Sequence, residues 1–155
     1  MTRLAFDTSV LVAALVEPHP LHARAIPWLA AVGRGEAAGE CTTHALAETW
    51  SVLTRLPIDP AIAPPLATLS IERLAGLLTV IEVTRDIYWR AMQRCSAQGL
   101  RSGALFDAVH LASAEASGAD AFVTFNPGDF TRLALEGGPL VVVPPDPPGF
   151  SIPRP

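Results

Sequence analysis

The sequence predicts an α/β fold, and three observations carry that prediction. Short apolar runs of strand type recur along the chain, at Leu4 to Phe6, Thr79 to Val83, Ala121 to Phe125 and Leu140 to Val143. Between them lie segments whose apolar residues repeat at helical spacing, the alternation expected of a sheet covered by helices. The first run stops abruptly at Asp7-Thr8-Ser9, and open α/β sheets gather ligands at the carboxyl ends of their strands.

Taken in order, Leu4 to Phe6 reads as a buried strand and Val10 to Val16 as a helix, with Thr8 or Ser9 as its cap. A cap there leaves amide N–H groups and a positive dipole end near Asp7, which favours an ionised carboxylate. Glu17-Pro18-His19-Pro20 breaks this helix, and Leu21, Ala25, Trp28, Leu29 and Val32 repeat as a second helix up to Gly33. Residues 33–40, with three glycines and two glutamates, read as a flexible loop. Thr42-Thr43 then caps a helix from His44 to Leu56, whose apolar arc carries Leu46, Trp50, Val52, Leu53 and Leu56. The four prolines between Pro57 and Pro65 mark a connector, followed by a helix from Ser70 to Leu78 and a second buried strand from Thr79 to Val83. Thr84 or Asp86 caps a helix through Ala97, Gly99 stops it, and a further helix spans Ser102 to Ser117 before Gly118. The strand at Ala121 to Phe125 leads into Asn126-Pro127-Gly128-Asp129 and a short helix to Leu135, and Leu140 to Val143 is the last strand. Residues 1–143 thus form one domain, and the Pro-rich tail 144–155 is extended or disordered.

Composition removes several function classes. The net charge of −4 and pI near 5.5 give no global signature of a nucleic-acid binder. All eleven basic side chains are arginine, so Schiff-base, P-loop and Ser-x-x-Lys chemistries, each of which needs a lysine, are excluded. The same gap disfavours haloacid-dehalogenase phosphatases and response-regulator receivers, whose first strand also ends in aspartate. Cys41 and Cys95 are isolated, as in a reduced cytoplasmic protein, and no apolar run is long enough for a bilayer.

Within this frame a few acids stand out. In Ser102 to Ser117 apolar residues occupy every side of the helix, which marks it as buried, and Asp107 is the only charge between Arg101 and Glu115. A carboxylate placed in the interior needs a cation or hydrogen-bond donors to stay ionised. An arginine partner would be structural, and a bound cation would be functional. Glu48 lies at the edge of its apolar arc, either a solvated residue paired with Arg55 or a ligand facing a polar pocket. Asn126 and Asp129 follow a third strand end and are equally good turn formers. His110 reads as a packed, hydrogen-bonded histidine, and His19 and His22 lack partners at ligand spacing. Arg85, Arg90, Arg94 and Arg101 form the one basic cluster, either a salt-bridged surface or a phosphate-contacting patch.

Four blocks in order, Phe6-Asp7-Thr8-Ser9, Ala47-Glu48, Leu105 to Ala112 around Asp107, and Val123 to Phe130 around Asn126 and Asp129, resemble the PIN-domain family. More narrowly they are similar to the VapC-type ribonuclease toxins of toxin–antitoxin pairs, over residues 3–143. The resemblance implies a three-layer α/β/α fold with a central parallel sheet of about four or five strands. It implies a Mg²⁺- or Mn²⁺-dependent cytoplasmic endoribonuclease with catalytic Asp7, Glu48, Asp107, Asn126 and Asp129. Asp7, Glu48, Asp107 and Asp129 would hold the metal, Asp129 with Asn126 forming the fourth corner, and Thr8 or Ser9 would orient Asp7 or a water. A cognate antitoxin and a toxin homodimer are implied as partners, together with an RNA substrate. Two competing readings are a PIN-like binding module without catalysis and a metal-dependent DNA or flap nuclease, the latter calling for basic elements that grip a duplex.

Overall fold

The computed structural model describes residues 1–153. Its five-stranded sheet is parallel throughout and ordered β3-β2-β1-β4-β5. Strand β1 (Arg3–Phe6) is central, with β2 (Ala38–Thr42) and β4 (Ala121–Val123) on its two sides. The edges are β3 (Thr79–Ile81) and β5 (Leu140–Val142). The chain steps outward from β1 to β3, then returns across the sheet to β4, so the strand order reverses between β1 and β4. Leu4 stands beside both Gly39 and Ala121, and Phe6 beside Val123. A crevice opens at such a switch point, beyond the strands' carboxyl ends.

Strand alternation sorts the core into two layers. Leu4, Phe6, Ala121 and Val123 face one way, onto helices α1 (Thr8–Leu15), α2 (His22–Gly33) and α4 (Pro64–Leu77) through Val10, Leu11, Trp28 and Leu74. Ala5 and Phe122 face the other way, onto α5 (Arg85–Ala97) and α6 (Ala104–Ser117) through Ile87, Val109 and Leu111. Fully burying one such large apolar side chain is worth about 1.5–3 kcal/mol, so both faces are needed to hold the three layers together. Helix α3 (Thr43–Leu53) lies beside α1 and α4, and α7 (Pro127–Thr131) follows β4.

Several boundaries differ from those expected, each for a physical reason. Residues Ala38–Thr42, expected to belong to a flexible loop, form a strand beside the central one. A Cβ on Gly39 would come within 2.6 Å of Leu78 and 2.8 Å of Val32, so the glycine that suggests a loop is there to admit close packing. The strand β3 is a partly exposed edge rather than a buried strand. Helix α4 starts at Pro64 instead of Ser70, because proline is well placed in a helix's first turn. Helix α3 stops at Leu53, where Thr54 turns its hydroxyl back onto the Trp50 and Ser51 carbonyls. Helix α1 begins one residue after Asp7, which occupies the cap position without capping through its side chain.

Residues 144–153 have no regular structure but pack along the body of the molecule. Arg24 donates to the Pro144 carbonyl from Nε at 2.8 Å, and the Thr2 hydroxyl donates to the Pro153 carbonyl at 3.0 Å. Phe150 meets Trp28 edge to face at 5.2 Å. The last two residues of the expected tail lie outside the described residues.

Candidate active site

The switch-point crevice is a cleft of about 610 Å³. Asp7, Glu48, Asp107 and Asn126 all line it, although they come from the ends of β1 and β4, the middle of α3 and the first turn of α6. Three separate crossings of the chain are needed to assemble them.

Asp7 is 5% exposed and held by hydroxyls. Ser9 donates to its Oδ2 at 2.5 Å and Thr124 donates to the same oxygen at 2.8 Å. Ser9 also accepts from the Phe125 amide, and Thr124 accepts from the Asn126 amide at 2.9 Å, so these hydroxyls tie β1 to the loop after β4. With Oδ2 taken, Oδ1 accepts no hydrogen bond from the described residues.

Glu48 is fixed as firmly, by different groups. Thr8 donates to its Oε2 at 2.8 Å, and His110 Nε2 lies 2.7 Å from the same oxygen. Thr42 Oγ1 accepts from the Ala45 amide, so its own proton can go to His110 Nδ1, 3.0 Å away. That leaves His110 Nε2–H to donate to Glu48, so both ring nitrogens are satisfied. Burial would raise the Glu48 pKa, but the His110 hydrogen bond and nearby charge, with Thr8 and His44, hold it down at about 2.

Asp107 shows the reverse balance. Burial, then the charges of Asp129 and Asp7, raise its pKa to about 6, against a smaller opposing pull from His110. It is half-buried at the cleft rather than interior, because α6, although apolar all round, is not buried all round. Phe106 beside it is 43% exposed and stacks on His44 at 5.0 Å. No arginine pairs with Asp107 among the described residues.

The other expected residues are spread more widely. Asn126 is an exposed cleft residue, whereas Asp129 is more peripheral, its carboxylate 3.5 Å from Arg132 although its charge still bears on Asp107. Thr8 and Ser9 divide the orienting role, Thr8 on Glu48 and Ser9 on Asp7. Glu48 is not paired with Arg55. The basic cluster does not act as a unit: Arg94 is bound to Glu115 at 2.6 Å and is 10% exposed, so its charge serves the α5–α6 contact. Arg85 lies 3.8 Å from Asp86, and Arg90 and Arg101 are exposed without a carboxylate partner. Sequence reasoning missed Thr42, His44 and Thr124. Thr124 alone carried a signal, a hydroxyl next to the end of a strand that leads to Asn126.

Two groups of donors could hold a cation. His44, Glu48 and His110 place ligand atoms within 4.8 Å of one another. His110 uses its Nε2 proton on Glu48, however, and a nitrogen-rich set would suit zinc rather than a hard ion. The carboxylates of Asp7 and Asp107, with Glu48 beside them, fit a hard divalent ion better. They share the cleft with no arginine paired to them among the described residues, and burial together with the charges of Asp129 and Asp7 makes Asp107 hold its proton more tightly.

Comparison with known proteins identifies relatives of the whole fold. The PIN domain family model matches residues 4–135. Ribonuclease VapC27 of Mycobacterium tuberculosis is 44% identical over 114 residues, covering 72% of this chain and 77% of that protein. Ribonuclease VapC40 of the same organism is 35% identical over 125 residues, 75% of this chain and 81% of that one. Among solved structures, the crystal structure of Mycobacterium tuberculosis VapC20, a Sarcin-Ricin loop cleaving toxin, superposes with a TM-score of 0.68 at 22% identity, covering 85% of this chain and 95% of that one. VapBC2 from Rickettsia felis, bound to a DNA fragment from its promoter, superposes with a TM-score of 0.65 at 16% identity, covering 92% and 98%.

Proposed function

The chain belongs to the PIN domain family, and from that premise we propose that it is a metal-dependent endoribonuclease acting as the toxin of a toxin–antitoxin pair. The observation that carries the reading is that Asp7, Glu48 and Asp107 line one cleft and none of them is paired with an arginine among the described residues. Residues 1–143 form the nuclease unit, and 144–155 its tail.

In this reading Asp7, Glu48 and Asp107 hold Mg²⁺ or Mn²⁺, with Asp129 in support. A divalent ion bound there supplies activation of water and neutralisation of charge at the phosphodiester. Ser9 and Thr124 occupy Asp7 Oδ2 and so present Oδ1 to the ion. Thr8 and His110 keep Glu48 ionised and in one orientation. The Asn126 amide stands at the cleft rim, able to donate to a phosphate oxygen or to orient a water. Water adds to phosphorus and the 3′ oxygen departs, leaving a 5′-phosphate.

RNA as substrate and an antitoxin partner fit the names of the relatives, which include a VapBC pair, and a second copy of the toxin belongs to the same proposal. None of the described helices is long and apolar enough to cross a membrane, and a cytoplasmic location is part of the same proposal. The test is cleavage of structured RNA, tRNA included, against duplex DNA with Mg²⁺ or Mn²⁺ and without antitoxin. Intact RNA under those conditions, or equal cutting by Asp7→Asn and Asp107→Asn, defeats the reading.

A further inference from the structure

The cleft has a second pole that the carboxylates do not account for. Arg55 lines it, in the turn just beyond α3 and seven residues after Glu48. Helix α3 runs on from Glu48 to its end at Leu53, so Arg55, in the turn beyond, stands roughly 10 Å along from the acids. Among the described residues it is the only arginine lining this cleft. It is exposed, and among the described residues no carboxylate lies within 4 Å of it, whereas Arg3, Arg24, Arg34, Arg85, Arg94 and Arg132 each have one. Val12, Val52 and Leu56 line the wall beside it.

An arginine beside an acid-lined cleft would gain from an ion pair across it, and this one makes none. Its fork of donors is left for an anion from outside the chain. A nucleic-acid backbone repeats its negative charge at regular intervals, so a strand with one phosphate at the carboxylates carries another farther along. We propose that Arg55 grips a phosphate flanking the scissile one in a single-stranded RNA segment, and so fixes which linkage reaches the acids. The apolar wall of Val12, Val52 and Leu56 takes the sugar or base between the two phosphates. This assignment rests on the ribonuclease reading and makes Arg55 a positioning residue rather than a catalytic one.

The experiment uses the full chain in the Asp7→Asn background with Mg²⁺ and a fluorescein-labelled single-stranded RNA of about ten nucleotides, followed by anisotropy. Adding Arg55→Gln is expected to weaken binding about tenfold and to flatten the slope of log affinity against log salt by about 0.7, the loss of one phosphate contact on a single strand. Arg55→Lys, which keeps the charge but not the fork, recovers most of the slope and part of the affinity. A methylphosphonate at the flanking linkage should weaken binding to the same extent when Arg55 is present and add nothing when it is Gln. With Asp7 restored, Arg55→Gln raises KM about tenfold and lowers kcat by less than twofold. Equal affinity and equal salt slope with and without Arg55 overturn the proposal, and leave Arg55 to a protein partner. Failure of the parent protein to cut RNA defeats the nuclease reading, while the anisotropy series still decides whether Arg55 holds a phosphate.

Discussion

Helix α6 withdraws a carboxylate from water near each of its ends, and the two ends solve that problem in opposite ways. At its carboxyl end, Glu40 of β2 is 3% exposed, accepts the Ser117 hydroxyl and lies 3.9 Å from Arg3 Nε. Burial raises its pKa, and Ser117 and Arg3 oppose the rise. At the amino end, Asp107 shares a cleft with Asp7, close enough to Asp129 for like charges to add to the effect of burial. An acid with its own donor and cation is a structural part. Acids gathered in one cleft with no arginine paired to them have the chemistry of a cation site. Burial is common to both ends, so burial alone cannot tell them apart.

The strongest way to break this comparison is to remove charge at the amino end. Asp7→Asn and Asp107→Asn should each reduce RNA cleavage about a thousandfold, roughly 4 kcal/mol of barrier. Metal-free Asp107→Asn should nevertheless melt higher than the parent, by up to ~2 kcal/mol once solvent screening is allowed for, since it removes a half-buried charge and its repulsion with Asp129 and Asp7. Calorimetry in EDTA measures this, and a lower Tm would place Asp107 with Glu40 as a structural acid.

Next in size is the support of Glu48. His110→Ala should lower apparent metal affinity or turnover about 10- to 100-fold by loosening that carboxylate. The depressed Glu48 pKa gives stability that is complete above its ordinary value of 4.5 and fades as pH falls toward 2. In the variant, NMR titration should find the Glu48 pKa moved up toward the ordinary range, with a shallower acid limb of stability.

The pH response of the metal-free protein sharpens the contrast further. Asp107 binds its proton more tightly folded than unfolded, so its contribution grows as pH falls through about 6 toward its ordinary 3.8. Added Mg²⁺ competes with that proton. Its stabilisation, read as a rise in Tm, should be full at about pH 8 and largely gone by about pH 5. The smallest effect is expected at the other end of α6. Glu40→Gln keeps the Ser117 contact and should change stability by only about 1 kcal/mol, with cleavage unaltered in an RNA gel assay.

How much of this was legible in the sequence follows from the range over which each signal acts. Asp7 and Asp107 were legible because each interrupts an apolar pattern, a local contrast that needs no tertiary knowledge. The same pattern led too far for Asp107, since periodicity could not say that Phe106 faces outward against His44. Strand β2 was hidden because the reason for Gly39 lies in Leu78 and Val32, which are remote from it in the chain or on another element. Thr42, His110 and Glu48 form one hydrogen-bonded chain across α3 and α6, and nothing in their spacing announces it. The arginines of α5 were legible as a cluster, but only the fold shows Arg94 committed to Glu115.

The packing of Phe150 on Trp28 gives the protein an optical reporter of its own tail. Trp28 is 1% exposed and its indole N–H has no partner among the described residues, so it should emit at short wavelength. Trp50 and Trp89 are 38% and 61% exposed, within reach of an aqueous quencher such as iodide. Attachment of the tail can therefore be followed in unlabelled protein, because lifting Phe150 away turns a shielded fluorophore into a quenchable one.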